Sequence, residues 1–206
     1  PVRGITNASS GKMGYAIAQA LIDAGARVTL ISGPTSIAPP TNATIVKIES
    51  ASQMFNAVKA VLADVDVFFS VAAVADYTPA APQKQKMKKS ADTMALALVP
   101  TVDILAWVAS QSNPPFCVGF AAESENVVEY ARKKRENKKI PVIVANFAAT
   151  AIGADDNEVT IIDESGDHAI PRGAKSQIAR AIVDHIANIL PRGAHTTNLI
   201  PAKKNA

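Results

Sequence analysis

Residues 7–34 read NASSGKMGYAIAQALIDAGARVTLISGP. A turn-rich stretch, Asn7-Ala8-Ser9-Ser10-Gly11, gives way to apolar residues at helical spacing: Tyr15, Ile17, Ala18, Leu21 and Ile22. The helix is expected to stop at Gly25, because glycine readily takes the left-handed conformation that closes helices. Val28-Thr29-Leu30-Ile31-Ser32 follows as a β-branched run closed by Gly33-Pro34. Such a run reads as a strand buried on both faces of a parallel sheet. Loop, helix and strand in that order make the repeating unit of an α/β fold.

The alternation continues outward. Ile45–Ile48 reads as a second strand, Met54, Phe55, Val58, Val61 and Leu62 as a helix face, and Val65–Val71 as a third strand. A Lys-rich loop is expected over about 77–92, between turn signals. Ile104, Leu105, Trp107 and Val108 mark a helix that Pro114-Pro115 breaks. Phe116–Phe120 is a strand, a basic helix covers about 126–139, and Val142–Ala145 is another strand. Val159–Ile162 and the stretch His168–Ile170 can pair as a hairpin across Glu164-Ser165-Gly166-Asp167. A last helix carries Ile178, Ile182, Ile186 and Ile189 and stops before Pro191. Residues 191–206 read as a polar tail. The fold expected is α/β over residues 1–190: a doubly wound, mostly parallel Rossmann-like sheet with helices on both faces and a small C-terminal hairpin. Such sheets bind ligands beyond the carboxyl ends of their strands.

The chain has 206 residues, 48% of them hydrophobic and 19% charged. High apolar content and low net charge argue against global disorder. The one cysteine, Cys117, excludes an intrachain disulfide and a Cys-rich zinc site. No apolar run is long enough for a membrane helix, and no leader pattern is visible, so a reducing, cytoplasmic setting is expected. The net charge of +3 hides a segregation. Lys84, Lys86, Lys88 and Lys89 form one basic run. Arg132, Lys133, Lys134, Arg135, Lys138 and Lys139 form another, opposed only by Glu136. The rest of the chain is mildly acidic, unlike a general nucleic-acid binder, and two concentrated basic spots point to a polyphosphate ligand.

Ser9-Ser10-Gly11-Lys12-Met13-Gly14 stands directly before the first helix. Glycines let backbone approach a ligand, serines supply hydroxyls, and a helix start presents free N–H groups and a positive dipole end. These features suit a phosphate. The loop is not a Walker motif, since Met13 follows Lys12. It is close to the glycine turn of short-chain dehydrogenases, and Tyr130 and Lys134 even stand at their Tyr-x-x-x-Lys spacing. Two details oppose that reading: Asn7 occupies the place of the first glycine, and the final glycine gap is one residue too long. No acidic residue ends Val28–Ser32, which runs into Gly33-Pro34 with nothing placed to hold a ribose diol.

Four segments in order, PVRGITNASSGKMG, AAVADY, GFAAE and KKIPVIVAN, resemble the phosphopantothenoylcysteine synthetase domain of the bifunctional bacterial protein of coenzyme A biosynthesis. The resemblance runs from Pro1 to about Leu190. It implies a ligase that joins 4′-phosphopantothenate to cysteine. Bacterial members use CTP, by way of an acyl-cytidylate, and release CMP and pyrophosphate; the eukaryotic branch generally uses ATP. By position, Asn7 matches the residue that contacts the acyl intermediate, and Lys86 a lysine on a mobile flap; both are the catalytic candidates. Arg3 matches an arginine that reaches a substrate phosphate across a dimer. Ser9, Gly11 and Gly14 match the triphosphate loop. Ala72, Ala73 and Asp76 match the turn that meets nucleotide and pantothenate. Val102, Asp103, Ile104, Leu105, Phe120, Lys134, Lys138 and Asn146 match further nucleotide contacts.

Magnesium held mostly by phosphate oxygens is the expected ion, as no dedicated carboxylate cage is evident. The resemblance also implies a homodimer and association with a decarboxylase domain, and no nucleic-acid or membrane partner. Family members usually begin with a strand and a Gly-Gly-Thr-Arg-Glu-type turn ahead of the Pro-Val-Arg, so the sheet is expected to lack its first strand and to show a central gap. Thr101-Val102 stands where a Pro usually precedes the Asp-Ile pair, and an aromatic usual near Ile152 is absent. Read without the resemblance, Asn7 is a turn residue, Phe120 core, Lys134 and Lys138 a solvated helix face, and Cys117 an inert buried thiol. His168, His185 and His195 look isolated. The competing readings are a short-chain-like NAD(P) oxidoreductase and a non-catalytic nucleotide-binding fragment.

Overall fold

The structure, a computed structural model, describes residues 7, 9–82, 85, 95–147 and 156–191. Helix α1 spans Lys12–Asp23, and Gly25 closes it with φ +88°. Strands β1 (Thr29–Ser32) and β2 (Thr44–Lys47) pair in parallel. Helix α2 (Ala51–Val61) starts at Ser50, whose hydroxyl accepts the Gln53 N–H. A 3-10 turn (Leu62–Asp64) leads to β3 (Val67–Ser70). The remaining elements are β4 (Tyr77–Pro79), β5 (Leu98–Pro100), α3 (Ile104–Ala109), β6 (Phe116–Glu123), α4 (Val127–Lys138), β7 (Val142–Phe147), β8 (Asp156–Ile162), β9 (Asp167–Ala174) and α5 (Lys175–Ile189).

The main sheet has the order β3-β6-β7-β8-β9. β3, β6 and β7 are mutually parallel, whereas β8 and β9 run antiparallel at one side. Successive side chains of a strand point to opposite faces, and the core divides accordingly. Val118, Val142 and Val144 face α1 and α5, packing on Ile17, Ala20, Ile178, Ile182 and Ile186. Cys117, Ile143 and Ala145 face the other way, packing with Ile104, Leu105, Val108 and Ala131 of α3 and α4. Helices on both faces make the sheet doubly wound, as expected. Every residue of β7 from Val142 to Ala145 is buried, which explains its unbroken apolar spelling. The Cys117 thiol is pushed up to about 11 by burial, in keeping with an inert core group.

Several expectations need revision. β1 and β2 form a separate two-stranded sheet, and no described strand joins β1 to β3. The 77–92 segment is not all loop: Tyr77–Pro79 pairs antiparallel with Leu98–Pro100, forming a ribbon far apart in sequence. The C-terminal hairpin is longer than expected and is part of the main sheet, since β8 pairs with β7. His168 and His185 are not isolated. Their rings lie 4.5 Å apart, and both meet Asp163. His195 lies outside the described residues.

Candidate functional site

The carboxyl ends of β3 and β7 carry Ala72, Ala73, Asp76 and Asn146, and the loop before α1 joins the end of β3 through Asn7. The Ser9–Gly14 loop enters α1 through Gly11, which has φ +77°. Gly11 has no side chain to cap the helix; Ser10 Oγ instead accepts the Lys12 N–H at 3.4 Å. A helix's first turn is suited to an anion, because its N–H groups have no carbonyl partner within the helix. Thr35, from the loop after β1, donates its hydroxyl to the Ser10 carbonyl at 3.1 Å. Gly14 brings α1 close to the end of β3: a Cβ there would lie 3.8 Å from Val71.

Asn7 donates from Nδ2 to the Ala73 carbonyl at 2.7 Å. That bond joins the loop before α1 to the turn after β3, across 66 positions. Ala72, Ala73 and Asp76 in this turn are all exposed. Thr101 ties the next segment to the same turn. Its N–H donates to the Asp76 carbonyl at 2.8 Å, and its hydroxyl to the Ala75 carbonyl at 2.6 Å. Val102 and Asp103 follow, exposed, before α3. Thr35 and Thr101 are positioning residues that sequence reasoning missed, since both act on backbone distant in the chain and no local pattern marks them.

Asp103 caps α3 by accepting the Ala106 N–H at 3.0 Å, and it pairs with Lys138. Burial acts to raise the Asp103 carboxyl, but its bonds with Lys138 and the Ala106 N–H, with the charges of Lys138 and Lys134, outweigh it. The net shift is below the ordinary carboxylate value. Asp103, Ala106, Tyr130, Lys133, Lys134, Asn137 and Lys138 line an open groove of about 420 Å³. Lys138 is only 16% exposed, so it is not the solvated surface lysine that its helix position alone suggests.

The basic run 132–139 is not a single patch. Arg132 pairs with Asp167 at 2.7 Å, Lys133 with Glu129 at 2.7 Å, and Arg135 Nε donates to the Pro141 carbonyl at 2.9 Å. Lys134 and Lys138 are the two of the run that are half-buried lysines on the groove. Phe120 is half-buried and packs on the core beside α1. Ile104 and Leu105 are buried core residues, so their side chains hold α3 down and only their backbone is near the site. Asn146 lies at the carboxyl end of β7, opposite Ala122 of β6, and is half-buried. Arg3 and Lys86 lie outside the described residues, as do all four lysines of the first basic run.

Together these features define a doubly wound α/β domain with an anion-suited helix start joined through Asn7 to a small-residue turn, and a lysine-lined groove between α3 and α4. The chain belongs to the family of DNA/pantothenate metabolism flavoprotein C-terminal domains, whose pattern it matches over residues 1–190. It is 43% identical over 196 residues to the coenzyme A biosynthesis bifunctional protein CoaBC of Vibrio vulnificus strain YJ016, covering 92% of this chain and 49% of that protein. Its likeness to CoaBC of Bacillus subtilis strain 168 is 42% over 192 residues, covering 91% and 47%. The chain thus spans about half the length of these curated relatives. A crystal structure of the C-terminal domain of CoaBC superposes with a TM-score of 0.78 at 40% identity, covering 92% of this chain and 88% of that one. A Cab2 mutant in complex with phosphopantothenate-cysteine shares the fold, with a TM-score of 0.76, 15% identity and coverage of 91% and 80%. This membership overturns the short-chain dehydrogenase reading; Tyr130 is an exposed residue of α4 with Lys133 over its ring. No helix among the described residues is long and apolar enough to cross a membrane.

Proposed function

We propose that the chain is a phosphopantothenate–cysteine ligase domain that activates 4′-phosphopantothenate with CTP and couples it to cysteine in the cytoplasm. The observation that carries this reading is the Asn7–Ala73 bond, which unites the helix-start loop with the turn after β3. Membership of the family and 40% identity to a CoaBC C-terminal domain support it.

The residues fit a nucleoside triphosphate. The α1 start, through Ser9, Gly11 and Gly14, offers backbone N–H groups to the phosphates, while Lys134 and Lys138 supply cationic charge across the groove. Arg3 and Lys86 are proposed to add to it. Ala72 and Ala73 expose backbone that a substrate can approach without steric conflict. Val102, the backbone of Asp103, Ile104 and Leu105, and Phe120 and Asn146 are proposed to frame the nucleotide, with Asp76 between nucleotide and pantothenate. Among the described residues no carboxylate cluster surrounds this groove, so a magnesium ion bound here would take most of its ligands from phosphate oxygens.

In the first step the pantothenate carboxylate attacks the α-phosphorus of CTP and pyrophosphate leaves. In the second, the cysteine amine attacks the acyl carbon, loses a proton, and CMP leaves. The protein's task is to position the groups and neutralise the phosphates. Asn7, a neutral donor beside the turn, is proposed to polarise the acyl carbonyl in the second step. A homodimer, with Arg3 reaching the neighbouring site, and association with a decarboxylase domain complete the proposal.

The test is to incubate the protein with CTP, 4′-phosphopantothenate, cysteine and Mg²⁺ and to follow pyrophosphate and 4′-phosphopantothenoylcysteine. Pyrophosphate release that needs both CTP and phosphopantothenate supports the proposal. CTP binding with neither product supports a non-catalytic nucleotide-binding role instead. Activity with ATP alone would correct the choice of nucleotide.

A further inference from the structure

Asp163, His168 and His185 converge at the amino edge of the sheet, where the β8–β9 turn meets α5. Ile162, the last residue of β8, pairs with Ile143 near the start of β7. Asp163 therefore lies near the amino end of β7, about 13 Å of strand away from Asn146. The β8–β9 turn supplies Asp163 and Ser165, β9 supplies His168, and α5 supplies His185. These elements are 22 positions apart at their extremes.

The arrangement has the character of a ligand set. The two imidazoles both direct Nε2 at one carboxylate: His185 reaches Asp163 Oδ2 at 2.7 Å and His168 reaches Oδ1 at 3.2 Å. The candidate ligand atoms all lie within 4.8 Å of one another. The carboxylate is 5% exposed and held in place by its own turn. Oδ1 accepts from the Ser165 N–H at 2.7 Å, the Ser165 hydroxyl at 2.7 Å and the Gly166 N–H at 3.2 Å. These bonds fix one oxygen and leave Oδ2 turned to His185, the outer-shell support that metal carboxylates usually have. Burial acts to raise this carboxyl, but the bonds from Ser165, His185 and His168 outweigh it and hold it well below the ordinary range. With the two rings 4.5 Å apart, one divalent cation can meet both ring nitrogens and the carboxylate together.

We infer that Asp163, His168 and His185 form a binding site for a borderline divalent transition ion, Zn²⁺ in the first instance. Two imidazole nitrogens and one carboxylate oxygen suit Zn²⁺, Co²⁺ or Ni²⁺ over Mg²⁺. In a tetrahedral site with bonds of about 2.0–2.1 Å, neighbouring ligand atoms stand about 3.3 Å apart. A small outward movement of His185 makes that room. His168, 37% exposed, leaves the fourth position open to water. The ion clips the hairpin turn to the last helix and takes no part in the ligase chemistry.

The test uses tag-free protein stripped with a chelator and titrated with Co²⁺, followed by visible absorption and by thermal melting. One equivalent is expected to produce the intense ligand-field bands of a tetrahedral site, to be displaced by Zn²⁺ and to raise the Tm. His168→Ala and His185→Gln are each expected to weaken binding by more than about tenfold. Near-UV circular dichroism establishes that each variant is folded, and His168→Ala, at a half-exposed strand position, is the variant least able to disturb the core. The inference is overturned if the parent protein gives no bands, or if both folded variants bind Co²⁺ as the parent does.

Discussion

The two edges of the main sheet are built from the same strands and use polar groups in opposite ways. At the carboxyl edge, Asn7, Ala72, Ala73, Asp76, Val102 and Asp103 are exposed, and the bonds that place them run mostly to backbone. Side chains fixed from behind in this manner keep their outward surface for a ligand. At the amino edge, Asp163, Ser165, His168 and His185 are bonded chiefly to one another. A sheet of this kind puts chemistry where its turns diverge and leaves the other edge for structural closure.

The largest effect expected is on the core that both edges share. Ile143 is fully buried and pairs with Ile162 beside the amino edge. Ile143→Ala is expected to cost about 2–5 kcal/mol in urea denaturation, from lost burial plus the cavity left behind. A cost below about 1 kcal/mol would mean that this side of the core is loosely packed.

Next comes Asn7→Asp, which exchanges a donor for an acceptor at the Ala73 carbonyl. Product formation is expected to fall about 10²–10³-fold, the usual loss of one positioned donor, with CTP affinity little changed. An equal loss in CTP affinity would assign Asn7 to holding the loop and not to the second step.

Asp103→Ala removes both the α3 cap and the partner of Lys138. The expected cost is about 0.5–2 kcal/mol at neutral pH, the range for losing a cap. Because the fold depresses the Asp103 carboxyl, its contribution is complete above the ordinary carboxylate value and fades as the pH falls through the depressed one. Denaturation at neutral and at strongly acidic pH should therefore show the difference between parent and variant shrinking in acid. A constant difference would remove the ion pair from the account.

Arg132→Ala breaks an exposed pair with Asp167 and is expected to cost about 0.2–1 kcal/mol, less at high salt. An effect several times larger would place this surface pair among the contacts that hold the hairpin.

The loop–helix–strand order was legible in the sequence because helix periodicity, the Gly25 stop and apolar strands are local signals. The β4–β5 ribbon was not legible, since Tyr77–Pro79 and Leu98–Pro100 are short and find each other across a Lys-rich stretch. At the site, residue types and order pointed to Asn7, the Ser9–Gly14 loop and the Ala72–Asp76 turn. Their union depends on a bond between residues 66 positions apart, which only the folded sheet supplies. Charge counting overstated the basic run: Arg132 and Arg135 serve the hairpin and the α4–β7 connection. The histidines looked isolated because their meeting point, Asp163, belongs to a turn, and His185 reaches it from the following helix.

The central claim is that one triphosphate gathers the helix-start loop, the turn after β3, the segment before α3 and the lysines of α4. Amide hydrogen exchange with and without CTP and Mg²⁺ tests it most directly. The account predicts slowed exchange together in residues 9–14, 72–76, 101–105 and 134–138, with the β8–β9 turn unchanged. Protection confined to one of these segments, or none at saturating CTP, would contradict it.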